Sequence, residues 1–224
     1  MNRQKKLDIL FEQMRACRAC RLRETCKQVV AGEGPADANV AFFAEGPGAS
    51  EDEAGRPLIG RSGQFWRMGL RRCGIDERSI FVSNAVKCRP PENRDPFLDE
   101  KEICWKWTIE LLQIIRPKVI IPMGRHALEG FSKNFGFSIG QKGIQKIAGK
   151  AIYVADRNFY VFPMFHPAYA LRNGTARDEF QAHLSFLRQA IPGWLQRPPP
   201  TEAEVAAFRQ KREKKKKSVQ RRTS

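Results

Sequence analysis

Short, mostly apolar runs alternate along this chain with longer segments of helical periodicity. Asn39 to Phe43, Ile80 to Val86 and Lys118 to Met123 are rich in apolar residues, as strands buried on both faces are. Ala151 to Ala155 and Tyr160 to Phe165 are predicted strands as well. Helical spacing covers Leu7 to Met14, a stretch from about Ser62 carrying Phe65, Trp66, Met68 and Leu70, Phe97 to Ile115, Gly124 to Phe131, and Ala176 to Ala190. Phe135 to Gly149 has no clear period and reads as a hairpin or loop. There is no internal repeat. Strands alternating with helices predict a mainly parallel sheet covered on both faces.

In such sheets ligands bind at the carboxyl ends of the strands. Three predicted strands end in a polar group. The first runs into Glu45-Gly46-Pro47-Gly48 and a long loop through Gly63, the second into Asn84, the fifth into His166-Pro167. The glycines permit close backbone approach and leave N–H groups free to meet an anion or a carbonyl oxygen.

Charge adds a partner class. The 224 residues carry 40 Lys and Arg against 24 Asp and Glu, a formal charge of +16. Arg209 to Ser224 holds nine basic residues and one Glu, so half of the excess sits in this tail. A basic body with a basic tail points to a polyanion, and to nucleic acid before membrane, because the tail lacks interfacial aromatic residues. Pro198-Pro199-Pro200 closes the compact part, giving a domain over 1–196 and a flexible basic tail over 197–224, with Glu202 to Lys217 partly helical but weak in isolation through repulsion within Lys214 to Lys217. No apolar run reaches the roughly 18–20 residues of a membrane span, and no leader pattern opens the chain. A cytosolic protein without structural disulfides is expected.

The six cysteines then need another explanation. Cys17 and Cys20 form a CxxC pair on an amino-terminal segment, Cys88 follows the second strand, and Cys104 lies in the next helix. Four thiolates from separate segments suit tetrahedral zinc or a [4Fe–4S] cluster, and spacing does not decide between them. Cys26 competes as a ligand; Cys73 reads as a packed helix cysteine.

Taken in order, these motifs resemble one family. Glu45-Gly46-Pro47-Gly48, Glu51-Asp52, Gly55-Arg56-Pro57 and Gly60-Arg61-Ser62-Gly63-Gln64 look like the first motif of the family-4 uracil-DNA glycosylases. Asn84-Ala85-Val86-Lys87-Cys88-Arg89-Pro90-Pro91 with Asn93-Arg94 resembles the second, and His166-Pro167-Ala168-Tyr169 with Leu171-Arg172 the third. The resemblance implies a three-layer α/β sandwich around a four-stranded, mostly parallel sheet. It implies a [4Fe–4S] cluster on Cys17, Cys20, Cys88 and Cys104, and a monomer acting on uracil in double- or single-stranded DNA without a catalytic metal. An association with the nucleoid through DNA would follow.

The implied roles fall on particular residues. His166, as a neutral N–H donor, meets uracil O2 as charge grows there. Asn84 reads the Watson–Crick edge, with the backbone of Gly46 and the side chain of Leu58 completing the base site. Glu45 activates water or stabilises the cationic sugar, while Glu51 and Asp52 order the loop. Arg61, Lys87 and Arg89 are expected on DNA phosphates, and Arg172 in or beside the DNA groove. His126 and His183 are expected to be packing or surface residues.

Two departures from the family pattern matter. Leu58 stands where the family places a phenylalanine that stacks on uracil, and Ala44 replaces a glycine. Residues 92–96 contain no histidine, so covalent trapping of DNA, known in a related subgroup, is not expected. The competing reading is a non-catalytic iron–sulfur or zinc nucleic-acid-binding protein on the same fold.

Overall fold

The apolar runs become strands where expected: β1 (Val40–Ala44), β2 (Ile80–Asn84), β3 (Val119–Pro122), β4 (Ile152–Val154) and β5 (Phe159–Val161). The computed structural model describes residues 1–140 and 143–223. Its helices are α1 (Arg3–Arg15), α2 (Leu22–Thr25), α3 (Ala49–Ala54), α4 (Arg61–Arg72), α5 (Leu98–Ile115), α6 (Arg125–Phe135), α7 (Ile144–Ile147), α8 (Pro167–Arg172), α9 (Gly174–Gln196) and α10 (Glu202–Thr223). The sheet has the order β2-β1-β3-β5-β4. The expected count of four strands is corrected to five: β2, β1, β3 and β5 run parallel, and β4 adds an antiparallel edge.

Successive residues of β1 feed opposite layers, as a strand's period of two requires. Val40, Phe42 and Ala44 join Trp66, Leu70, Phe180 and Leu184 in one core, between the sheet and α4 and α9. Ala41 and Phe43 join Leu7, Met14, Trp105 and Phe131 in the other, against α1, α5 and α6. Phe42 meets Trp66 edge-on at 5.2 Å between ring centres, and Phe43 meets Phe131 at 5.0 Å. Such pairs add about 0.5–1.5 kcal/mol beyond area burial.

Strand register sets the carboxyl edge. Ala44 pairs with Asn84, and Phe43 with Pro122, so Glu45, Asn84 and Gly124 emerge side by side. A bridge between Met123 and Met164 brings His166 to the same edge.

The loop after β1 contains α3, which the pattern of the sequence does not mark, and the tail carries α10. In α10, Phe208 packs against the core and Arg212 pairs with Asp156 at 3.5 Å. The unclear stretch contains the single turn of α7; Gln141 and Lys142 within it lie outside the described residues. No described helix is long and apolar enough to cross a membrane.

Candidate active site

The three strand ends open into one cavity of about 460 Å³. Glu45, Gly46, Leu58, Asn84, His166 and Arg172 all line it. Glu45 is held by its Oε1, which accepts the backbone N–H of His126 at 2.9 Å. Gly124, at φ +95°, makes room: a Cβ there would sit 2.5 Å from that oxygen. Glu45 Oε2 and the Gly46 N–H have no hydrogen-bond partner among the described residues, which leaves both to a ligand.

His166 caps α8, and its Nδ1 accepts the N–H of Ala168 at 3.2 Å. An acceptor at Nδ1 places the proton of the neutral ring on Nε2, so the ring can donate. Burial holds its pKa below the ordinary histidine value; Glu45 opposes this shift and Arg172 reinforces it. Asn84 is 1% exposed, and its side-chain Nδ2 has no partner. A buried amide donor without an acceptor costs about 1–3 kcal/mol, which a ligand oxygen would recover.

The loop around these groups is tied from within. Glu51 accepts the N–H of Gly48 at 3.1 Å with Oε2, and those of Ile59 and Gly60 at 2.9 and 2.8 Å with Oε1. Asp52 accepts from Lys27 and Gln28 N–H at 3.0 and 3.3 Å, joining the loop to the cysteine-bearing segment. Leu58 is buried with φ +51° and forms an apolar wall.

Lys87 corrects the sequence reading. It is 1% exposed, and its ammonium is turned into the body rather than toward solvent. Its ammonium donates to the carbonyl of Asn84, to Ser83 Oγ at 3.1 Å and to Thr108 Oγ1 at 3.2 Å. Burial pulls its pKa down to about 8. Arg172 stands at the cavity rim, Arg61 is exposed outside the lining, and Arg89 donates to Asn93 Oδ1 at 2.8 Å.

His126 is a packing residue as expected, only 5% exposed with Nε2 3.0 Å from Asp95, and it also lines the cavity. Asn93, Arg94, Asp95 and Tyr169 line the cavity without having been assigned a role from the sequence. Arg94 forks onto buried Glu100 at 2.9 and 2.7 Å. The motifs containing Asn93-Arg94 and Tyr169 marked these positions; nothing in the sequence marked Asp95 or His126.

Cys17, Cys20, Cys88 and Cys104 line one small cavity on the α1 side of the sheet, with Arg23 and Trp107. Cys104 Sγ accepts the Lys87 N–H at 3.3 Å, and burial pushes its thiol up to about 11. Cys26 lies against Cys88, whose hydrogen bond pulls the Cys26 thiol down to about 7. Among the described residues, no three His, Cys, Asp or Glu side chains converge closely enough to hold a single ion.

The family model for the uracil DNA glycosylase superfamily matches residues 31–190, and the chain belongs to that superfamily. Its relatives within the superfamily include type-4 enzymes. The chain is 38% identical over 173 residues to the type-4 uracil-DNA glycosylase of Thermotoga maritima, covering 76% of this chain and 86% of that one. It is 36% identical over 181 residues to that of Pyrobaculum aerophilum, covering 80% and 91%. It is 34% identical over 187 residues to that of Sulfurisphaera tokodaii, covering 82% and 84%.

Proposed function

We propose that this chain excises uracil from DNA, releasing the free base and leaving an abasic site. The observation that carries the reading is the unpaired amide of Asn84, buried in the cavity that the Nε2–H of His166 also enters. The base must leave the stack at a cost of a few kcal/mol. Asn84 then meets the Watson–Crick edge; cytosine, with donors and acceptors reversed there, leaves buried groups unpaired.

As the bond between C1′ and N1 breaks, its electron pair moves into the base and onto O2. The Nε2–H of His166 and the N–H of Gly46 are the donors for that charge; one such donor is worth about 2.7–4 kcal/mol. The sugar becomes cationic, and water adds its oxygen to C1′, losing the proton that balances the departing base. Glu45, with Oε1 fixed on α6, presents Oε2 to the water or to the cation. The non-catalytic alternative gains nothing from the geometry, since imidazole, amide and carboxylate share one cavity.

Cys17, Cys20, Cys88 and Cys104 would hold a [4Fe–4S] cluster. An all-thiolate set spread around a shared cavity suits a cluster better than one zinc ion. When bound, it ties three chain segments together covalently. The reading as an enzyme is tested by incubating the protein with uracil-containing single- and double-stranded oligonucleotides and cleaving with alkali. Breaks at uracil are expected; intact strands at micromolar protein would overturn it.

A further inference from the structure

The edge of the sheet opposite the active site carries a second cationic surface. A cleft of about 680 Å³ opens at the amino-terminal ends of β1, β3 and β5, with Arg3, Asn39, Arg116, Lys118, Arg157 and Asn158 on its walls. Its lining contains four cations and no carboxylate. None of the four is in an ion pair with a described residue. Arg3, Arg116 and Arg157 are exposed.

The basic tail lands on this edge. Arg212 of α10 lies against Gly136 and pairs with Asp156, beside the lining residues Phe135 and Arg157. Phe208 and Arg212 face the body, whereas Arg209, Lys211 and Lys214 face outward. Those three outward cations add positive charge beside the cleft.

We propose that this edge is a second binding site for duplex nucleic acid, which grips its phosphates while the active-site edge holds another duplex segment. The five residues of β1 separate the two edges by about 16 Å, and the two openings face apart, so one straight duplex does not fill both. Positive charge spread over a cleft and the helix beside it fits a phosphate backbone, whose contacts add without regard to sequence. A membrane fits poorly, because Phe208, the aromatic residue of α10, is turned toward the body. The surface therefore bridges two duplexes.

The test uses the full chain and two uracil-free 20-base-pair duplexes, one with a donor dye and one with an acceptor. Wild-type protein is expected to bring them together, with energy transfer that fades as salt rises. The variant Arg3→Glu/Arg116→Asn/Arg157→Glu should bridge about tenfold less well, with a salt slope smaller by about 0.9 for each phosphate that the variant no longer neutralises. Asn tolerates the left-handed backbone of Arg116, at φ +55°. Excision from a short uracil oligonucleotide and the melting temperature should stay within error of wild type. Arg157→Gln alone repeats the comparison should the triple variant fold poorly. Absence of energy transfer with wild type at 50 mM salt would overturn the proposal, as would undiminished bridging by both variants or displacement by an acidic polypeptide below the concentration of competing DNA. Because the probes contain no uracil, these outcomes stand apart from whether the enzyme excises it.

Discussion

Glu45 Oε1 and the backbone N–H of His126 meet at 2.9 Å, so a carboxylate at the end of β1 is aimed by the first turn of α6. Gly124 permits this approach, since any Cβ at φ +95° would be strained and would strike the carboxylate. Gly124→Ala is expected to lower kcat about tenfold or more while leaving DNA affinity near wild type. Single-turnover kinetics and a binding titration check this; a kcat within twofold of wild type would refute it.

Lys87 acts on the site through Asn84. Its ammonium fixes the Asn84 carbonyl and two hydroxyls in a buried network. Lys87→Met leaves those oxygens without a donor, and each oxygen so stranded costs about 1–3 kcal/mol. The variant should melt lower and excise uracil about tenfold more slowly, whereas a surface phosphate contact would show mainly as reduced salt dependence. Melting curves and excision rates at two salt concentrations separate the cases.

The strand ends were legible because mostly apolar runs stop abruptly at Glu45, Asn84 and His166, and parallel strands gather such ends on one edge. What depended on tertiary packing was not. Lys87 reads as a surface lysine until Ser83 and Thr108 fold over it. His126 contributes a backbone N–H, which no side-chain pattern reveals. The glycines flanking Ala49–Ala54 hid α3. Repulsion among the lysines of the tail makes a helix there weak in isolation, and only the folded body shows that Phe208 and Arg212 dock it. The fifth strand was present in the residue pattern and absent from the family resemblance.

Cys26 and Cys104 should behave differently. Cys104 lines the shared cavity, whereas Cys26 lies outside that lining and beside Cys88. Cys104→Ala is expected to abolish visible absorption and bound iron and sulfide, and to lower the melting temperature. Cys26→Ala should keep iron and sulfide near about four each per chain, the stoichiometry of the [4Fe–4S] unit. The reverse pattern would move the ligand assignment to Cys26.

Leu58 keeps the base site apolar but gives the base no aromatic face. Stacking a base on an aromatic ring is worth about 1–3 kcal/mol by alanine substitution. Leucine already supplies part of that contact, so Leu58→Phe should tighten inhibition by free uracil by about fivefold, near the lower limit. Titration of excision with added uracil measures it. Weaker inhibition would mean that the larger ring overpacks a wall already 4% exposed.

The state of His166 sets the acid limit. Nδ1 accepts from Ala168, so protonation removes that hydrogen bond and puts a charge where the neutral Nε2–H donor is needed. Burial, and to a lesser degree Arg172, hold the folded pKa below the ordinary value of about 6.5. The neutral, competent ring therefore persists below pH 6.5, and the acid limb of kcat/KM should have its midpoint there. Arg172→Gln removes a neighbouring cation and should raise that midpoint. Stability follows the same sign: the unfolded chain takes up the proton first, so this histidine's contribution is full above about pH 6.5 and is lost as pH falls toward the folded pKa. An acid limb at or above 6.5, or a midpoint that falls in Arg172→Gln, would show that a different group controls the rate.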